Sequence, residues 1–218
     1  MLLSENSSSG FKYEPNTKNI SVDFQNEFAD IKGKWYNGGK SIEFVKTQLV
    51  PFFKENNIKI NEIISDYRAP RLADSGVGCI PGEFGFESIL PTDIKEKDVW
   101  IKCMNSPIWI RDNIGIKDKQ PGHPYQDTSL FDKWLLDKFG QPSETLTIIL
   151  FGLTLDCCVL ATAQELKWRG YNVKILIEAT DVMPNKNQIE IKNQITNGEV
   201  LNHWLNFINF DEIKKEYC

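Results

Sequence analysis

Residues 146–177 read LTIILFGLTLDCCVLATAQELKWRGYNVKILI. Leu146 to Phe151 is an almost unbroken apolar run, which suits an inner strand of a parallel sheet because such a strand is covered on both faces. Gly152 to Cys157 turns the chain, and Cys158 to Arg169 follows as a helix. Gly170 is its stop signal, since glycine accepts the backbone conformations that end helices. Val173 to Ile177 is then a second buried strand. Strand, helix and strand at this spacing make a βαβ unit, and such units build parallel sheets with helices on their faces.

The rest of the chain is compatible with that unit. Ile20, Val22 and Phe24 alternate as in a short strand, with Asp23 near its end. From Lys40 to about Asn56, Ile42, Val45, Leu49 and Phe52 recur every three or four residues, predicting a helix with one buried face and a last turn disturbed by Pro51. Ile60 to Ile64 is another strand, followed by a polar, glycine-containing stretch from Asp66 to Gly85. Val99 to Lys102 is a further strand ending in a charge. Residues 105–127 contain Pro107, Pro121, Gly122 and Pro124 without sustained periodicity and read as a loop insertion. Ser129 to Phe139 predicts a helix burying Leu130, Trp134 and Leu135, ended by Gly140 and Pro142. Leu201, Trp204, Leu205 and Phe207 group as the apolar face of a terminal helix. Residues 1–17 begin polar and serine-rich and read as a flexible arm. Residues 18–218 are then expected to form one catalytic domain of α/β class, with a doubly wound, mostly parallel sheet and helices on both faces.

Composition narrows the function classes. With 218 residues the chain has room for one substantial core. The 41% apolar and 25% charged shares are those of an ordinary soluble protein. Acidic residues outnumber basic ones by 30 to 25, which argues against nucleic acid as a partner, because phosphate backbones select basic faces. No apolar run is long enough to cross a membrane, and MLLSENSSSG lacks the basic and apolar sections of a secretory signal, so no membrane partner and a cytoplasmic location are expected. Five cysteines, an odd number without paired spacings, suggest free thiols in a reducing compartment.

One of those thiols sits where chemistry is favoured. A cysteine in the first turn of a helix after a buried strand meets unpaired backbone N–H groups and the positive end of the helix dipole, both of which favour thiolate. The carboxyl ends of parallel strands are also where open α/β sheets bind ligands. An inert cysteine in a small-residue helix start is the competing reading. Asp23 and Lys102 end two other strands, so that an acid–base group and a cation converge on the same sheet edge. Alone, Asp23 is more often a helix cap or loop charge, and Lys102 more often a solvated strand end.

VDFQNEF around Asp23, VWIKCMNSPI around Lys102 and GLTLDCCVLATA around Cys158 together resemble the isochorismatase-like hydrolase superfamily, over about Ile20 to Asp181. The resemblance implies catalysis by an aspartate, a lysine and a cysteine. It matches these roles to Asp23, Lys102 and Cys158, choosing the cysteine directly before valine over Cys157. It also implies a cis peptide between Leu153 and Thr154 and an oxyanion hole made by the backbone N–H groups of Thr154 and Cys158. Relatives of the nicotinamidase type carry an aspartate-x-histidine metal motif after the second strand. Here that region is DYRAPRLADSG, with Asp66 but no histidine, and His123 and His203 lie elsewhere, so neither metal nor cofactor is expected. Leu155 replaces a common threonine before Asp156, and Glu178-Ala179 replaces a common Asp-Ala pair.

Phe28 and Trp35 after the aspartate motif, and Trp109 after the lysine motif, are candidates to line a pocket for a flat or apolar substrate, with core packing as the alternative. Arg68 and Arg71 are candidates to pair with a substrate carboxylate. The expected function is cysteine-dependent hydrolysis of a small carboxamide, ureido or carbamoyl compound. Vinyl-ether hydrolysis and noncatalytic binding or assembly are the alternatives. The resemblance is also compatible with a homodimer or higher homo-oligomer.

Overall fold

Along 147–153, Ile148 and Leu150 pack into one hydrophobic cluster while Ile149 and Phe151 pack into another on the opposite side. That alternation is what a strand covered on both faces produces. The computed structural model describes residues 16–72, 76–196 and 205–217. Its strands are β1 (Thr17–Val22), β2 (Asn61–Ser65), β3 (Trp100–Lys102), β4 (Trp109–Ile110), β5 (Tyr125–Gln126), β6 (Thr147–Leu153), β7 (Asn172–Asp181) and β8 (Asn206–Ile208). Its helices are α1 (Asn26–Ala29), α2 (Lys40–Phe44), α3 (Val50–Glu55), α4 (Thr128–Phe139), α5 (Leu160–Trp168), α6 (Gln188–Thr196) and α7 (Phe210–Tyr217).

Six strands form one parallel sheet in the order β3-β2-β1-β6-β7-β8. Helices α4 and α5 cover the face built on Ile20, Ile148, Leu150 and Ile175. Helices α2, α3 and α7 cover the other, built on Ile149, Phe151 and Leu176. This is the doubly wound α/β arrangement expected from sequence. The chain runs outward from β1 in one direction through β2 and β3, and in the other from β6 through β7 and β8. The crevice beyond the carboxyl ends of β1 and β6 is therefore a topological switch point, where such sheets bind ligands.

Packing β1 against β6 requires a glycine. Val22 pairs with Gly152, and a side chain at Gly152 would come within 2.2 Å of the Val22 carbonyl oxygen. Its φ of 150° adds a conformation that other residues rarely adopt. Two carboxylates of β7 bind helix starts, Asp181 accepting from the Ser41 N–H and Glu178 from the Phe210 N–H. Glu178 thus belongs to the frame rather than to the crevice.

Several expected elements shift. The helix from Lys40 widens by a π turn over Val45–Leu49 just before Pro51, whose missing N–H falls in the first turn of α3. The extra residue rotates the buried face, so Phe53 is buried where Phe52 was expected, and Phe52 packs on Phe210 instead. In α4, Asp127 caps the Leu130 N–H at 2.9 Å, and Phe131, Trp134 and Leu135 form the buried stripe. Leu130 lies one residue, or about 100°, off that stripe and is exposed rather than buried. Phe207 is in β8, paired with Ile175 of β7, not in a terminal helix, which begins only at Phe210. Leu201, Trp204 and His203 lie outside the described residues, as do residues 1–15; β1 already begins at Thr17. Within 105–127 the regular structure is the antiparallel ribbon of β4 and β5.

Candidate active site

Four strand ends deliver the polar residues of the switch-point crevice. Asp23 follows β1 with a φ of 57°, a left-handed conformation in which its N–H donates to the Ile63 carbonyl at 2.9 Å. Such conformations are uncommon outside glycine, asparagine and aspartate and concentrate at functional sites. Ser65 and Lys102 end β2 and β3 and face each other in register. The Gln25 side chain clamps Ser65, accepting from its N–H at 2.7 Å and donating to its carbonyl at 2.9 Å. That clamp fixes the separation of the β1 and β2 exits. Beyond β6, the Leu153–Thr154 peptide is cis. Leu155–Val159 is a π turn closed by the Val159 N–H on the Thr154 carbonyl at 3.1 Å, so the helical stretch begins before Cys158, which lies within that turn rather than at its start.

Lys102, with no exposed surface, is the hub. Its Nζ lies 2.8 Å from Asp23 Oδ2, 2.7 Å from Ser65 Oγ, 3.0 Å from the Tyr67 hydroxyl and 3.4 Å from Cys158 Sγ. Ser65 Oγ donates to Asp23 Oδ1 at 2.8 Å. Cys158 Sγ also lies 3.4 Å from the Tyr67 hydroxyl and 3.8 Å from Asn105 Oδ1. Among the described residues no hydrogen bond joins Asp23 directly to Cys158; Lys102 touches both.

The three motif residues therefore meet, as an ion pair beside a thiol. Burial works against the Lys102 ammonium, but Asp23, Cys158 and Tyr67 outweigh it and hold the lysine well above its ordinary pKa. The Cys157 thiol alongside and burial together hold Cys158 above the ordinary thiol range, against the pull of Lys102. Burial, with Cys158 next, likewise raises Tyr67, so its phenol is neutral. Cys157 is pulled down by its hydrogen bond with Cys158, against burial. The contacts with Lys102 and Tyr67 are nevertheless made by the Cys158 sulfur.

Of the three motif residues, Cys158 opens on a cavity of about 490 Å³. Phe28 and Trp35 line it, stacked at 5.8 Å between ring centroids and 19° between planes, with Tyr67 edge-on to both. Arg71 also lines it, its guanidinium 3.8 Å from the Tyr67 ring centroid. Thr154, Cys157 and Asn105 complete the part nearest the sulfur. The cavity wall is mainly apolar and aromatic with few polar groups, the usual make-up of a small-molecule site.

Two expected pocket residues lie elsewhere. Trp109 is on β4, packed against the α4-side core and not among the residues lining the cavity. Arg68 is buried and uses all its N–H donors: Nε and Nη2 on the Asp66 carboxylate, and the remaining hydrogens on the carbonyls of Asn113, Ile116 and Lys119. No donor is left for a substrate carboxylate, so Arg68 pins the 105–127 excursion instead. His123 is exposed on that excursion. Conversely, nothing in DYRAPRL singles out Tyr67, nor anything in MNSP Asn105, beyond proximity to strands ending at the same edge.

No protein-family model matches the chain and no curated protein matches its sequence. Its fold is that of several solved structures. An isochorismatase-like hydrolase from Alkaliphilus metalliredigens superposes with a TM-score of 0.61 at 17% identity, covering 93% of this chain and 98% of that one. N-carbamoylsarcosine amidase from Thermoplasma acidophilum gives 0.60 at 19%, covering 91% and 98%. A pyrazinamidase of Pyrococcus horikoshii in complex with zinc gives 0.62 at 15%, covering 90% and 100%. Among the described residues of this chain no group of three or more His, Cys, Asp or Glu side chains is placed to hold a metal ion, and Asp66 is engaged by Arg68.

Proposed function

We propose that this chain, which has the isochorismatase-like fold, is a cysteine-dependent hydrolase cleaving the carbon–nitrogen bond of small carboxamide, ureido or carbamoyl compounds. The observation that carries this reading is the buried Lys102 ammonium touching both the Asp23 carboxylate and the Cys158 sulfur, which lines a ligand-sized cavity. The amidase and pyrazinamidase among the structures of the same fold support the choice of bond.

Because Lys102 bonds to both Asp23 and Cys158, and no hydrogen bond joins those two among the described residues, the proposed proton route runs through Lys102. Lys102 passes one hydrogen to Asp23 Oδ2 as it takes the hydrogen of the thiol, leaving thiolate, ammonium and carboxylic acid. The thiolate adds to the substrate carbonyl carbon, and the developing oxyanion is met by the backbone N–H groups of Thr154 and Cys158. The C–N bond breaks as the leaving nitrogen takes the proton held on Asp23. Water then adds to the thioester, giving its proton to Asp23, and the sulfur leaves as thiolate and is reprotonated by the reverse route. Phe28 and Trp35 hold an apolar or planar group, and Arg71 at the rim suits an anionic one.

The test is ammonia release from a panel of carboxamides, ureido acids and carbamoyl amines, with pyruvate release from an enol-pyruvyl ether as a parallel channel. The expected result is nitrogen release from at least one compound, lost in Cys158→Ser and Asp23→Asn and retained in Cys157→Ala. Undiminished turnover by Cys158→Ser would overturn the covalent route, and pyruvate without ammonia would overturn the choice of bond.

A further inference from the structure

A count of hydrogens at the Cys158 sulfur leads to a residue outside the triad. A lysine ammonium has three N–H donors. Four acceptors surround Lys102 Nζ, namely Ser65 Oγ at 2.7 Å, Asp23 Oδ2 at 2.8 Å, the Tyr67 hydroxyl at 3.0 Å and Cys158 Sγ at 3.4 Å. Ser65 spends its own hydrogen on Asp23 Oδ1, so towards Lys102 it is an acceptor. The three shortest contacts thus take the three hydrogens, and the sulfur is the acceptor left over. Tyr67, accepting from Lys102 with a lone pair, has its phenolic hydrogen available for its other neighbour, Cys158 Sγ at 3.4 Å.

We propose that Tyr67 donates its phenolic hydrogen to Cys158 and is a second hydrogen-bond donor, beside Lys102, that stabilises the thiolate. The proposal rests on the reading of Cys158 as nucleophile. No bond to Tyr67 forms or breaks in the reaction. Its hydrogen bond is strongest when sulfur is an anion, before attack and again as the thioester collapses, and weakens when the sulfur is acylated. In the resting thiol, the S–H turns to Asn105 Oδ1 at 3.8 Å. Tyr67 is also built for fixed aim. Its N–H and carbonyl are both paired with Gly78 at 3.2 Å, Phe28 and Trp35 abut its ring, and the Arg71 guanidinium covers a ring face. The other charged or titratable groups around the sulfur are Asp23, Lys102 and Cys157, none of which changes in the variants below.

The experiment is iodoacetamide alkylation of the full-length protein as a function of pH, read at Cys158 by peptide mass spectrometry with fragment ions that separate it from Cys157. In Tyr67→Phe the alkylation midpoint of Cys158 should rise by about one to two pH units, equivalent to roughly a ten- to hundredfold lower thiolate fraction at fixed pH below the midpoint. With 3-fluorotyrosine at position 67, which keeps the shape and strengthens the donor, the midpoint should fall below that of the unmodified protein. The fluorinated protein also decides the matter if Tyr67→Phe does not fold. An unchanged midpoint in the folded variants would overturn the proposal. Failure of the hydrolase reading is separately visible, as absence of nitrogen release from every compound, and the alkylation midpoint does not depend on it.

Discussion

Lys102 takes a positive charge to zero exposure, and only its partners make that tolerable. Replacing it with methionine, similar in length but uncharged, leaves the Asp23 carboxylate buried with Ser65 as its remaining side-chain donor. Removing one member of a buried ion pair costs about 3–5 kcal/mol, because the partner's desolvation is no longer offset. Lys102→Met should therefore lower stability by about that amount in urea denaturation followed by tryptophan fluorescence, and should abolish turnover. A double variant, Asp23→Asn with Lys102→Met, should regain part of the stability but none of the activity; equal stability of the single and double variants would show that the pair is not the source. Asp23, Lys102 and Cys158 were each legible in sequence because a charge or thiol at the carboxyl end of a strand is conspicuous, and the family resemblance tied them together. Tyr67 and Asn105 were not. A tyrosine or asparagine in a loop carries no signal until the fold sets its hydroxyl or amide against the sulfur. Arg68 shows the converse, since a guanidinium looks available in sequence until its carbonyl acceptors, 45 to 51 residues away, are in place.

The helix that carries Cys158 is braced from outside by its own acid. Asp156 accepts from the Met183 N–H at 3.0 Å and pairs with Lys186 at 2.8 Å, tying the segment after β7 to the cysteine turn and closing one side of the cavity. Burial opposes ionisation of Asp156, but Lys186, the Met183 N–H and the Thr154 side chain outweigh it and hold its pKa below the ordinary carboxylate value. A depressed folded pKa means a stabilisation fully present above the unfolded pKa and lost as pH falls through the folded one. Asp156→Asn should thus cost about 1–2 kcal/mol at neutral pH and less in acid, so that the two thermal-melting curves converge as pH is lowered. Parallel curves would remove Asp156 from the account. On the same face of the sheet as α5, α4 gives a sharper mutational contrast. Phe131→Ala should cost about 3–5 kcal/mol, whereas Leu130→Ala should stay within about 0.5 kcal/mol, since Phe131 is fully buried and Leu130 is 45% exposed. Periodicity found this helix and two members of its stripe, Trp134 and Leu135, but not the phase of its first turn, which the Asp127 cap sets. The π turn before Pro51 displaced Phe52 in the same way, by one residue that periodicity does not encode.

The sheet order, with its switch point between β1 and β6, brings together segments that sequence separates by more than a hundred residues, and the 105–127 excursion has to be held across that assembly. The Asp66–Arg68 pair holds it. Asp66 Oδ2 accepts from the Gly115 N–H at 2.9 Å, and Arg68 donates to the carbonyls of Asn113, Ile116 and Lys119, so one buried ion pair after β2 binds both backbone polarities of the loop. A loop without helix or long strand cannot satisfy these groups by itself, and burying them unpaired would be costly. The charge on Arg68 also answers Asp66, whose side chain has no exposed surface. Arg68→Met should therefore destabilise the protein by about 3–5 kcal/mol, by leaving Asp66 charged and alone, whereas Asp66→Asn combined with Arg68→Met should be less costly than the single change because neither charge is then buried without its partner. In both variants the freed carbonyls seek water, so limited proteolysis should cut between Asp112 and Pro121 faster than in the unmodified chain, with the urea midpoint of the double variant lying between those of the other two. If the loop resists cleavage as well as before, its order comes from the β4–β5 ribbon rather than from Arg68. If the double variant is less stable than Arg68→Met, the cost lies in lost hydrogen bonds to Asp66 rather than in its isolated charge.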